Sequence, residues 1–201
     1  VLHNENTIKV LESNLNSENY EIAKASASAL ENITGKKYSY TAKPVYDPDW
    51  IYIESLDRKK NVIIKTNKGE INIELLQDVA PFNVMNFLKL AEKNYYDSTV
   101  FHRVVSNFVI QGGDPTGTGY GGPGYSIRSE FSPLTYETGM VGMASSGKDT
   151  EGSQFFITHS ATPHLDGKYT IFGKVTDGMD VVDKIMIGDY IEDIKILPLD
   201  I

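Results

Sequence analysis

Three short runs of this chain concentrate the residue types that can do chemistry. The densest is Phe101-His102-Arg103-Val104-Val105-Ser106-Asn107-Phe108-Val109-Ile110-Gln111-Gly112-Gly113-Asp114. A second is Met143-Ala144-Ser145-Ser146, continuing at Gly152-Ser153-Gln154-Phe155-Phe156-Ile157, and a third is Leu165-Asp166-Gly167-Lys168-Tyr169, continuing at Phe172-Gly173-Lys174-Val175. Arg103 offers a charge that never titrates and several donors in one plane, which suits it to stabilising an electron-rich atom. Taken alone, an arginine after a strand is usually a solvated surface charge. His102 precedes it directly and so points to the opposite face of a strand, as a buried, hydrogen-bonded histidine would. Other chemical signals are weaker. Gly117-Thr118-Gly119-Tyr120-Gly121-Gly122 fits G-x-G-x-x-G, but Pro115 and Pro123 bracket it, so no helix N-terminus is available for a phosphate. His159 and His164 have Pro163 between them and lack the i, i+4 spacing of helical metal ligands. Glu130 and Glu137 have no recognisable partner for acid–base work. No metal or other cofactor is expected.

The elements that must position these runs follow from periodicity. Ile8, Leu11 and Leu15, then Ile22, Ser26, Ala29, Leu30 and Ile33, repeat at helical spacing. Asn16-Ser17-Glu18-Asn19 breaks the pair and Gly35 ends it, so residues 1–36 are expected to be two helices. Their small-residue-rich pattern resembles the last unit of a HEAT-type repeat; an amphipathic arm packed on its own domain is the alternative. Residues 37–60 carry Tyr38, Tyr40, Pro44, Tyr46, Pro48, Trp50 and Tyr52, which predict an extended linker pinned to a surface. From Asn61 the rhythm becomes that of strands. Val62-Ile63-Ile64 leads through Asn67-Lys68-Gly69 to the alternation of Ile71, Ile73 and Leu75. Pro81 opens a helix carried on by Val84, Phe87, Leu88 and Ala91. Further strands are expected over 99–105, 108–112, 140–143, 154–158, 170–175 and 191–199, with a short helix at 179–186. Many short strands, two helices and no βαβ alternation predict a mainly β unit over 61–201, a closed antiparallel barrel.

The three runs together, in order and spacing, resemble the cyclophilin family over roughly residues 61–201. That resemblance implies a closed eight-stranded antiparallel barrel capped by two helices, with a peptide groove on its outer face, and the activity of a peptidyl-prolyl cis-trans isomerase (a rotamase) assisting protein folding. It places Arg103 as the catalytic arginine with Gln111 beside it. Phe108, Phe156 and Leu165 match the family's proline pocket, and Gln111, Ala144 and Gln154 its peptide-binding wall. Val109, Ser145, His164 and Tyr169 complete the substrate-binding set, and each departs from the commonest pattern. Val109 stands where many relatives have methionine, Ser145 replaces an asparagine, and Tyr169 sits where histidine is usual. His164 takes the place of a tryptophan that contacts cyclosporin, so weak cyclosporin binding is expected.

Composition bounds the remaining possibilities. Of 201 residues, 40% are hydrophobic and 23% charged, which permits a packed core. A net charge of −8 argues against a phosphate-neutralising nucleic-acid binder, and no apolar run of membrane-spanning length occurs. The longest basic cluster, Arg58-Lys59-Lys60, reads as solvated linker. Absence of cysteine excludes disulfides, thiol nucleophiles and cysteine zinc sites, while leaving the compartment open. A bacterial cytoplasm or a periplasmic envelope would suit the chain equally. A start at Val1 suggests a fragment of a longer protein. Expected partners are proline-containing peptides and unfolded or folding proteins, met by a monomer. The rival functions are a proline-peptide binding module with weak or lost catalysis, and a scaffold whose helical arm is the working part.

Overall fold

Alternation accounts for the hairpin that opens the β unit. β1 (Asn61–Thr66) and β2 (Gly69–Leu75) pair antiparallel from Asn61↔Glu74 to Thr66↔Gly69, leaving Asn67-Lys68 as a two-residue loop. Val62, Ile64, Ile71, Ile73 and Leu75 point to one face and are all at 1% exposure or less. Gly69 takes φ 138°, and a Cβ there would stand 2.9 Å from a methyl of Val181. These coordinates belong to a computed structural model, which describes residues 5–17, 20–40, 48–56 and 61–197.

The remaining elements follow in chain order: helix α4 (Pro81–Ala91), β3 (Arg103–Val105), β4 (Val109–Gly112), β5 (Met140–Met143), β6 (Phe155–Thr158), β7 (Ile171–Asp177), helix α5 (Met179–Val182) and β8 (Ile191–Ile196). They form one curled antiparallel sheet in the order β3-β4-β6-β5-β7-β2-β1-β8. Its concave face holds the core. Phe87 of α4 packs there against Tyr96, Phe155 and Phe172 at centroid distances of 5.1–5.6 Å.

The sheet is not closed by a ladder, contrary to expectation. No strand pairing joins the edge strands β3 and β8. Contact between the edges comes from just upstream of each strand, at the isolated bridge Val100↔Tyr190 and through hydrogen bonds from Phe101 N to Asp189 O and Ile191 N to Thr99 O. Ser98 at φ 62° and Gly188 at φ 93° stand at the ends of this short contact, outside the extended backbone that a longer ladder needs. The capping helix expected over 179–186 is also shorter, a single turn at Met179–Val182.

Helix α4 starts without a side-chain cap of its own, because Ala80 occupies the cap position. Glu130 serves instead, accepting from the backbone N–H of Phe82 at 3.2 Å and of Asn83 at 2.9 Å. A carboxylate on the first turn also complements the helix dipole.

Upstream lie α1 (Glu5–Asn14) and α2 (Tyr20–Thr34), which pack on each other, with Gly35 at φ 71° ending the second. The buried stripe of α2 is Ala23, Ser26, Ala27 and Leu30, at 6% exposure or less, rather than one starting at Ile22, which is 45% exposed. Within the segment read as extended, Trp50–Glu54 is a helical turn, α3. Pro48 stands before its cap instead of inside it, and Asp49 accepts from Tyr52 N at 3.0 Å. Asp49 also meets Lys89 of α4 at 2.6 Å, and Trp50 sets an edge on Phe82 at 5.5 Å, so the turn is docked on α4. Pro44, Tyr46, Arg58-Lys59-Lys60, Glu18-Asn19, residues 1–4 and the end of the last strand from residue 198 lie outside the described residues.

Candidate active site

Strand pleating alone puts one row of side chains on the outer face. Across β3, β4, β6 and β5 the register runs Arg103↔Gln111↔Phe156↔Gly142. The alternate positions Val104, Ile110, Phe155, Ile157 and Val141 turn inward to the main core. Arg103 and Phe156, far apart in sequence, therefore share a face two strand spacings apart, or roughly 10 Å.

An apolar cluster surrounds that row. Val109, Tyr136, Met140, Phe156, Leu165 and Ile171 are buried in it, with Phe108, Ala144 and Tyr169 half-buried at its edge. The Arg103 guanidinium sits 5.4 Å from the centre of the Phe108 ring and is exposed, so it faces a cleft wall and not open solvent alone. Phe108 is brought there by a tight turn: its N–H donates to Val105 O at 3.0 Å, and Asn107 takes φ 58°. His164, exposed in the 3₁₀ turn Pro163–Leu165, stacks on Phe108 at 5.2 Å. Tyr169 sets its edge on Phe156 at 5.8 Å. Val109 is only 2% exposed and so lies beneath the cradle as its floor.

A chain of amides fixes which end of Gln111 meets the arginine. Gln154 Nε2 donates to the carbonyls of Gly119 at 3.0 Å and Gly121 at 2.9 Å. Its Oε1 is then free to accept from Gln111 Nε2, at 3.0 Å. Gln111 Oε1 is left facing Arg103 Nη1, at 3.5 Å. That last contact is long, so the guanidinium keeps donors for another acceptor.

The loop carrying those carbonyls is itself held by Asp114, which is fully buried. Its carboxylate accepts from Thr116 N at 2.7 Å, Thr116 Oγ1 at 2.8 Å, Gly119 N at 2.6 Å and Gly121 N at 3.2 Å. Burial pushes its pKa up, but these donors outweigh burial and hold it below the ordinary 3.8. The glycine-rich stretch is thus a turn wound on a carboxylate, without a helix. His102 lies against Gly119, whose Cβ would be 3.5 Å from its ring. Burial lowers its pKa despite the nearby Asp114 and the backbone of Val100, and so favours the neutral ring.

Beyond Gln111 and Gln154 the outer face opens into a cavity of about 540 Å³. Ala144 and Ser145 line it, as does the loop at 119–124. The sequence-derived residues therefore fall into two connected groups. Arg103, Phe108, Phe156, Leu165, His164 and Tyr169 form an apolar cradle over Val109, Ser145 belongs to the cavity, and Ala144 packs on the first and lines the second. Gln111 and Gln154 join the two.

Two cradle residues escaped the sequence reading. Tyr136 is 1% exposed and stacks on Phe156 at 5.4 Å; burial pushes its hydroxyl far above the ordinary range, so it stays neutral. Gly142 gives both rings room, since a Cβ there would stand 2.5 Å from Phe156 Cζ and closer still to the Tyr136 hydroxyl. A glycine inside a strand pattern was the available signal for such a close approach. Among the described residues no group of His, Asp and Glu could hold a metal, and no helix is long and apolar enough to cross a membrane.

A family model described as cyclophilin type peptidyl-prolyl cis-trans isomerase/CLD matches residues 61–199. The chain belongs to that family of isomerases. It is 46% identical over 140 residues to peptidyl-prolyl cis-trans isomerase B of Bacillus subtilis, covering 69% of this chain and 98% of the relative. It is 41% identical over 177 residues to a peptidyl-prolyl cis-trans isomerase-like 2 of Rhizopus delemar, a match that spans 85% of this chain but 33% of that longer protein. Bacterial and fungal peptidyl-prolyl cis-trans isomerases are thus both among its relatives. The crystal structure of a Cryptosporidium parvum cyclophilin superposes with a TM-score of 0.67 at 39% identity, covering 71% of this chain and 99% of that one. A second structure of that protein was solved in the presence of the dipeptide Ala-Pro, with a TM-score of 0.65.

Proposed function

We propose that this cyclophilin turns X–Pro bonds on the outer face of β3, β4 and β6, with Arg103 as the catalytic residue. The observation that carries the reading is the permanent charge of Arg103 poised over Phe108 at the rim of an apolar cradle. Rotation about an X–Pro bond meets a barrier of roughly 18–20 kcal/mol, because it breaks amide resonance. Millisecond turnover, against uncatalysed exchange in about 10–100 s, needs about 10⁴–10⁵-fold acceleration, or roughly 5.5–7 kcal/mol.

No bond to the protein need form. At the twisted midpoint the proline nitrogen recovers a lone pair that the planar amide had delocalised. Arg103 donates to that nitrogen, and so binds the twisted state better than either planar one. Phe108, Phe156 and Leu165 hold the proline ring over Val109, exclude water and strengthen the arginine's effect by lowering the local dielectric. Gln111, steadied by Gln154, grips the backbone preceding the turning bond, while Ala144 and Ser145 wall the path of the peptide. His164 and Tyr169 close the far side of the cradle. Proline-containing segments of unfolded or folding proteins are the substrates. The relative solved in the presence of Ala-Pro supports that class.

The test is a protease-coupled isomerisation assay on a proline tetrapeptide. Arg103→Ala is expected to lower kcat/KM by about 10²–10³-fold, as loss of a donor to transition-state charge does, with the circular dichroism spectrum unchanged. An unaltered rate removes Arg103 from the mechanism.

A further inference from the structure

At the head of β7, fully buried, stands a hydroxyl that the proposed mechanism does not use. Thr170 is 0% exposed and directly follows Tyr169, whose edge rests on Phe156. Its Oγ1 accepts from the backbone N–H of Glu130 at 2.8 Å and donates to Glu151 Oε1 at 3.2 Å. Its carbonyl accepts from the N–H of Met143 at 3.0 Å, and Met143 is the residue before Ala144. The start of β7, the end of β5, the loop before β6 and the segment that caps α4 thus meet at one residue.

Glu151 makes that joint a demanding one. It is 0% exposed, and its Oε2 has no hydrogen-bond partner among the described residues. Burial and the nearby Asp149 push its pKa up, while the hydroxyls of Ser129 and Thr170 pull it down. A carboxyl group so far from water can spare no donor. Its backbone is fixed as well, because Ile127 N donates to Glu151 O at 2.8 Å, so the loop is not free to move toward another. A β-branched side chain is also stiff at χ1, which keeps the Thr170 hydroxyl where both partners need it.

We propose that Thr170 is a positioning residue for the isomerase: its hydroxyl, locked between Glu130 N and Glu151, sets where Tyr169 and Ala144 stand against the cradle. The proposal rests on the isomerase reading above. Tyr169 lies one residue from the joint along the chain, and Ala144 one residue past Met143 across the sheet, so slack at the joint moves both walls together. Arg103 is carried on β3, at the far end of the run β3-β4-β6-β5-β7, and stays in place. The loss therefore falls on the grip of the peptide, and so on KM, while kcat is kept.

Thr170→Val keeps the outline of the side chain and removes its hydroxyl. Initial rates of the full chain over a concentration series of a proline peptide are taken where circular dichroism shows each variant folded. KM is expected to rise about tenfold in Thr170→Val, with kcat within about twofold of wild type. Thr170→Ser, which restores the hydroxyl, should bring KM back to within about twofold. Thr66→Val is the control. The Thr66 hydroxyl likewise accepts from a backbone N–H, that of Lys68, and donates to the Gly69 carbonyl, but in the β1–β2 loop; its loss should lower stability and leave KM alone. An unchanged KM in Thr170→Val, a loss confined to kcat, or an equal rise in Thr170→Ser overturns the proposal. If Thr170→Val does not fold, Glu151→Leu and Glu151→Gln decide: the first strips the hydroxyl of its acceptor and should raise KM, the second keeps an acceptor and should not, and equal values in the two overturn the proposal. Binding keeps the two readings apart. The Kd of the peptide for Arg103→Ala, followed by amide NMR shifts, should rise about tenfold when Thr170→Val is added, whatever becomes of turnover. A wild-type chain with no turnover on any proline peptide sinks the isomerase reading, and Kd then judges Thr170 alone.

Discussion

Asp114→Asn is the substitution that most directly tests how the site is held. The wild-type carboxylate accepts from three backbone N–H groups and one hydroxyl, at 2.6–3.2 Å, from full burial. An amide of the same shape can accept on one oxygen only. If its nitrogen replaces Oδ2 it faces the N–H of Gly119 and Gly121; if it replaces Oδ1 it faces that of Thr116. Stranding one buried donor costs about 1–3 kcal/mol, and the surviving bonds lose their charge assistance, so a total of about 2–4 kcal/mol is expected. That corresponds to a fall in Tm of roughly 5–15 °C for a chain of this size. The loss must also depend on pH. Because the folded-state pKa of Asp114 is depressed, its contribution is present above the unfolded value of 3.8 and fades as pH falls through the folded value. Denaturant melts of wild type and variant should therefore differ fully at pH 7 and converge in strong acid. Slackening of the loop also frees Gln154, hence Gln111, and kcat/KM on a proline peptide should fall by about 10- to 100-fold. Equal melting at pH 7, or a difference that persists unchanged below the folded pKa, would refute the reasoning.

Two further outcomes follow from the cradle. Gly142→Ala drives a methyl into the Phe156 ring and the Tyr136 hydroxyl, so it should destabilise by about 1–3 kcal/mol and raise KM for proline peptides, as measured by chemical melts and initial rates. Cyclosporin should inhibit weakly, since His164, stacked flat on Phe108, offers less apolar surface than an indole would; His164→Trp is expected to tighten inhibition about tenfold or more by titration of the rate, and wild-type inhibition as tight as that of the tryptophan variant would refute the idea.

Period-2 patterning made most of the β unit legible. Val62, Ile64, Ile71 and Ile73 announce both the strands and the buried face, and the Asn67-Lys68 loop sets the register between them. The same rule separated His102 from Arg103. What failed were readings that depend on how chain ends meet. Closure of the barrel needed a ladder between β3 and β8, and the edges meet only at a short contact flanked by Ser98 and Gly188 at positive φ. The helical turn at Trp50–Glu54 forms because Asp49 is held by Lys89 of α4 as well as by Tyr52 N, an assistance invisible along the chain. Glu130, which has no recognisable partner for acid–base work in the sequence, caps the start of α4 more than forty residues away, a contact that spacing does not show.

From the sequence by itself came the identity of the charged and aromatic groups and the face each must occupy, because side-chain direction along a strand is a local property. Only the folded chain decided which of those faces meet. The pairing order β3-β4-β6-β5 brings Arg103 and Phe156 onto one surface, and the amide chain through Gln154 orients Gln111 toward the arginine. Such meetings depend on long-range packing and on donors and acceptors finding partners in three dimensions, and no spacing in one dimension encodes them.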